Sequence, residues 1–142
     1  MNIRLKVQLL FAIGLLNSSL CFASGSYTCP STVHLASGSV APEDVPAGYE
    51  SRVSSSIIRL SGNNLYEGPP ENGAQLKPWS TKGSVSTWEL PGEHPQGVWI
   101  SCDYAEGLVK IVARISDLAT SCVATTERVK PYNTLAAHFV CK

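Results

Sequence analysis

Four cysteines behind an apolar N-terminal segment constrain this chain more than any other feature. Arg4 and Lys6 make the start positive, an apolar run extends from Val7 to Leu16, and a polar step at Asn17–Ser19 precedes Cys21-Phe22-Ala23. Small residues at the first and third positions before a cut suit signal peptidase, so the pattern predicts a cleaved export signal over residues 1–23. The apolar run falls short of the ~20 residues that a spanning helix needs. Leu20, rather than a small residue, precedes Cys21 and argues against lipidation there. Residues 24–142 keep Cys29, Cys102, Cys122 and Cys141, an even set expected to pair in the periplasm or outside the cell. Three pairings are open to four cysteines. The expectation adopted is Cys122–Cys141, on neighbouring C-terminal strands, with Cys29–Cys102 tying the first strand to a central one. With no C-x-x-C pair and wide spacing, the cysteines read as structural bridges and not as metal ligands.

The 119 residues left after the signal suffice for one domain with a modest core. Eleven acidic residues face nine basic ones once Arg4 and Lys6 are gone, a net charge of −2 with the signs scattered. No basic stripe predicts a grip on nucleic acid or anionic lipid, and no membrane insertion is expected once the signal is cleaved.

Short β-rich runs separated by Gly/Pro turns indicate a mainly β fold: a small antiparallel meander, barrel or sandwich, stapled by two disulfides. Tyr27–Leu35 reads as the first strand, and 36–48 as a loop. Ser54–Leu60 leads through Gly62-Asn63-Asn64 into Leu65-Tyr66, either a hairpin or one long strand with a bulge. Residues 67–79 read as irregular, with a helical turn expected over Pro70–Leu76 because proline suits a helix start. Ser84–Leu90, Val98–Tyr104, Leu108–Ile115, Ser121–Thr125 and Leu135–Cys141 complete the strands, with a tight turn at Ala105-Glu106-Gly107. The two-residue period places Val98, Ile100, Cys102 and Tyr104 on one face and Trp99 and Ser101 on the other.

Cys29-Pro30, Leu65-Tyr66-Glu67-Gly68-Pro69-Pro70, Ala74 and Leu76 before Pro78, Trp88, Trp99-Ile100-Ser101-Cys102-Asp103-Tyr104 and Ser121-Cys122 together resemble an uncharacterised family of small exported bacterial proteins. That resemblance implies an exported, disulfide-bonded single domain and supplies no activity. Tyr27-Thr28-Cys29 is also similar to the start of the periplasmic lysozyme inhibitors. The Ser-Gly loop and following aromatic of those inhibitors are not matched around Ser37-Gly38-Ser39.

Catalytic motifs are missing: there is no G-x-S-x-G elbow, Ser-x-x-Lys pair or H-E-x-x-H. Asp103 and Glu106 read as turn acids rather than an acid–base pair. His34, His94 and His138 are far apart; His94 reads as solvated, the other two as hydrogen-bonded strand residues. No metal and no cofactor is expected. Trp88, Trp99, Tyr66 and Tyr104 read as core aromatics. Trp79, after Lys77-Pro78, either plugs one end of a barrel, the favoured placement, or stands out as a binding anchor. Tyr132, in Pro131-Tyr132-Asn133, is a similar case.

These readings converge on a non-enzymatic protein-binding module, engaging its partner through Trp79, Tyr66 and Tyr132. An inhibitor of a cell-wall hydrolase and an immunity protein against an exported toxin are the specific cases. A component of an envelope assembly and a small hydrolase are the alternatives.

Overall fold

The computed structural model describes residues 24–36, 41–48, 50 and 56–142. The expected signal over 1–23 lies outside the described residues, as does Ser37-Gly38-Ser39.

Ten strands follow one another: β1 (Gly25–Cys29), β2 (Thr32–His34), β3 (Ile57–Glu67), β4 (Ala74–Leu76), β5 (Ser80–Lys82), β6 (Val85–Glu89), β7 (Val98–Tyr104), β8 (Val109–Arg114), β9 (Ser121–Val129) and β10 (Thr134–Cys141). They form two antiparallel sheets, ordered β1-β10-β9-β6-β5 and β2-β3-β7-β8, with β4 paired to the far end of β3. The sheets curl about one core as a half-barrel. Cys29, Leu60, Leu65, Trp88, Ile100, Tyr104, Phe139 and the other three paired cysteines fill it. Trp88 and Phe139 meet at a ring-centroid distance of 6.1 Å, and the Trp88 indole N–H donates to Leu76 O at 3.0 Å.

Both disulfides take the expected pairing. Cys122 and Cys141 face each other directly across β9 and β10, with Cα atoms 4.1 Å apart. Cys29–Cys102 joins β1 to β7 and so clamps one sheet to the other. Beside it the buried Tyr104 hydroxyl donates to Pro30 O at 2.8 Å. The Cys-Pro and Cys-x-Tyr elements of the sequence are thus two halves of one junction.

Two expectations require correction, and one open alternative is decided. The single strand Tyr27–Leu35 is two, because Pro30, without an N–H, marks the corner where the chain leaves the first sheet for the second. Of the two readings of Ser54–Tyr66 the described residues take the long strand, β3, bulged between Leu60 and Gly62, while Ser54 and Ser55 lie outside the described residues. The helical turn at Pro70–Leu76 does not form. Asn72 and Gly73 N–H both turn back onto Pro69 O, at 3.0 and 2.6 Å, and Ala74–Leu76 returns along Leu65–Glu67. A hairpin supplies β3 with ladder bonds and brings Leu76 against the core, neither of which one helical turn would do. Residues 67–79 also hold more structure than expected, since they contain β4, and a second hairpin, Ser80–Lys82 with β6, follows directly.

Candidate binding face

On β7 the alternation holds: Val98, Ile100, Cys102 and Tyr104 are buried in the core, which sends Trp99, Ser101 and Asp103 to the outer side of the second sheet. Register then dictates their company. Gln75, Tyr66, Trp99 and Arg114 line up across β4, β3, β7 and β8. Asn64, Ser101 and Val112 form the next row, and Asp103 stands opposite Lys110.

A hydrogen-bond chain organises this face. Gln75 Nε2 donates to Asn64 Oδ1 at 2.7 Å, and Asn64 Nδ2 donates to Asp103 Oδ2 at 2.8 Å. Asp103 Oδ1 accepts from Ser101 Oγ at 2.5 Å and from Lys110 Nζ at 2.8 Å. The Lys110 ammonium lies 5.5 Å from the Tyr66 ring centroid, a cation–π contact. The Trp99 indole N–H donates to Gln96 O at 3.2 Å. Every polar side chain in the cluster restrains its neighbour, so the face is preorganised.

Asp103 is only 7% exposed. Burial pushes its carboxyl up, but the hydrogen bonds from Lys110, Ser101 and Asn64 and the charge of Lys110 outweigh it and hold the group below the ordinary aspartate value. The hydrogen bond to Asp103 raises Lys110 against a smaller opposing effect of burial. Lys110 therefore stays an ammonium at neutral pH, and Ser101 is fully buried with its hydroxyl on a carboxylate. This set shapes a surface and holds neither a free base nor an accessible nucleophile.

The structure does not bring the three expected anchors together. Tyr66 lies half-buried on the outer face, not in the core. Trp79 is 80% exposed just before β5, which overturns its placement as a plug: Leu76 and Trp88 already close that part of the core. Tyr132 is exposed on the β9–β10 turn with the Arg59 guanidinium 5.8 Å from its ring centroid, and Arg59 sits at the opposite end of β3 from Tyr66.

Trp99, expected in the core, is half-buried outside it, because the two-residue period points it away from Ile100. The same alternation was the signal that could have identified it. Asp103 is a ladder residue and not a turn acid, since β7 runs to Tyr104. His94 is not fully solvated: its side chain is 18% exposed, with Nδ1 3.6 Å from Glu67 Oε1. His138 has its ring nitrogens 3.3 and 3.2 Å from the Ser26 and Thr28 hydroxyls, while His34 is exposed on β2. Among the described residues no group of three or more His, Cys, Asp or Glu could hold a metal ion. Nor does any helix among them have the length and apolarity to cross a membrane.

Residues 54–142 match the family model described as Type VI secretion system Tli immunity protein. The matched span contains β3 through β10, hence Tyr66, Trp99 and the whole Gln75–Asn64–Asp103–Lys110 chain, and leaves out β1 and β2. No curated protein and no solved structure matches the chain.

Proposed function

The chain belongs to the type VI secretion system Tli immunity protein family, and we propose that it holds its effector against the outer face of the second sheet, centred on Tyr66 and Trp99. It is a protein-binding module of the immunity type, and membership of this family does not favour an envelope-assembly component or a small hydrolase. Neutralisation proceeds by occupying the effector surface and not by chemistry on it. The partner is a toxin delivered by a type VI system rather than a cell-wall hydrolase of the same cell. The encounter takes place in the periplasm or outside the cell, in keeping with the expected signal over 1–23 and with two disulfides.

One observation carries the choice of face. The Gln75–Asn64–Asp103–Lys110 chain locks the side chains around two half-exposed aromatics before any partner arrives. Tyr and Trp on a preordered surface contribute most to affinity at least entropic cost. Trp79 and Tyr132, both strongly exposed, are outlying anchors on separate loops.

Co-expression with type VI effectors tests the function, with survival of the host as the readout. Protection against an effector is expected, and purified protein should bind that effector. Tyr66→Ala with Trp99→Ala should weaken binding by about 2 kcal/mol, roughly thirtyfold. Protection against no effector would overturn the immunity reading for this chain. Binding untouched by the double substitution would overturn the face. Trp79→Ala, made alone, reads whether the contact reaches the β5 edge: an unchanged affinity removes Trp79 from the interface.

A further inference from the structure

We infer that the free edge of β8 is a docking strand, to which the effector adds an extended segment with an acidic side chain opposite Arg114 and an apolar one opposite Val112. The inference rests on the immunity reading and adds the manner of recognition.

Ile115 N–H donates to Val98 O at 3.0 Å, continuing the register in which Trp99 pairs with Arg114 and Tyr104 with Val109. In an antiparallel ladder bonded residues alternate, so Val109, Ile111 and Ala113 exchange bonds with β7. Lys110, Val112 and Arg114 direct their N–H and C=O groups away from the sheet. Among the described residues nothing pairs with those groups.

Edge strands are ordinarily short, bulged, or interrupted by proline. The other edges here conform in length: β2, β4 and β5 have three residues each and β1 has five. β8 has six, Val-Lys-Ile-Val-Ala-Arg, without Pro, Gly or bulge. Its one protective lysine is turned onto Asp103. Apolar side chains are left uncovered beside it, Leu108 at 87% and Ile111 at 44% exposure.

Charge selects the occupant. A second copy pairing antiparallel about Val112, the register that engages all three outward-directed residues, would set Lys110 opposite Arg114 twice, and like charges directly across a ladder repel. Arg114 holds only the exposed Asp117, at 2.9 Å, a surface bridge that a partner carboxylate can replace at little cost. The strand adjoins the Tyr66–Trp99 row through Arg114, so an added strand would continue the proposed face.

The test uses the exported, oxidised protein and the effector against which co-expression protects. Amide hydrogen exchange at Lys110, Val112 and Arg114 should slow at least tenfold in the complex, and Val112→Pro, which deletes one outward N–H, should weaken binding at least tenfold. Val112→Thr, which keeps that N–H, should bind like wild type. Loss of binding in Tyr66→Ala/Trp99→Ala with no exchange protection on β8 would overturn the docking strand and leave the face standing. If Val112→Pro does not fold, the exchange measurement on wild type decides alone: unprotected β8 amides overturn the inference. Sedimentation showing a β8-dependent dimer of the free protein would overturn it in favour of a second copy.

Discussion

Asp103 lies on the outside of a sheet and yet is nearly enclosed, because three donors from β3, β7 and β8 converge on its two oxygens. Its lowered pKa means that its contribution to stability is present above the ordinary aspartate value and is lost as pH falls through the lowered one. For Lys110 the pKa is raised, so its contribution is present below the ordinary lysine value and is lost as pH rises through the raised one. Asp103→Ala, which strands Lys110, Ser101 and Asn64, should cost about 2 kcal/mol in urea unfolding. The gap to wild type should stay flat between about pH 5 and pH 9 and close as pH falls below the ordinary aspartate value of 3.8 and through the lowered one. A gap that persists at acid pH would mean that packing, and not the carboxylate, sets the cost. Tyr104 illustrates burial alone: burial raises its pKa, and its hydroxyl ends on Pro30 O. Tyr104→Phe should cost about 1 kcal/mol while leaving both disulfides intact, as thiol titration would check.

Elements form as expected where the pattern is regular and depart from expectation where the chain turns. β7 was legible because Val98, Ile100, Cys102 and Tyr104 repeat every second residue, and the structure buries all four. The stretch from Pro70 to Leu76 was not, since a proline start is common to helices and turns, and only the exposed edge of β3 selects the hairpin. Gly73 sits where a Cβ would come within 2.6 Å of Glu67 O and Gly68 O and 2.8 Å of Pro69 O. Backbone atoms cannot yield as a flexible side chain does, so Gly73→Ala should destabilise by about 1–3 kcal/mol. Trp88, whose indole bond ends on Leu76 O, reports the same change as altered fluorescence. An unaltered melting temperature and Trp88 signal would mean that the β3–β4 turn has room that its geometry denies.

At the scale of the molecule the two disulfides act on different loops. Cys29–Cys102 spans a sequence separation of 73 and Cys122–Cys141 one of 19. In the chain-entropy account they are worth about 4 and about 3 kcal/mol. Cys29→Ala with Cys102→Ala should therefore lower stability more than the C-terminal pair, and should loosen one sheet from the other as seen by exchange of core amides. Equal losses from the two pairs would point to local packing and not to loop closure. Composition, periodicity and the cysteine count sufficed for a disulfide-bonded β domain without nucleic-acid or catalytic signals, because hydrophobic alternation and turn chemistry act over a few residues. Which aromatics face outward together, that Asp103 meets Lys110, and that Trp79 stands clear of the core depend on register between strands far apart in the chain. Ladder pairing sets that register, and no local pattern encodes it.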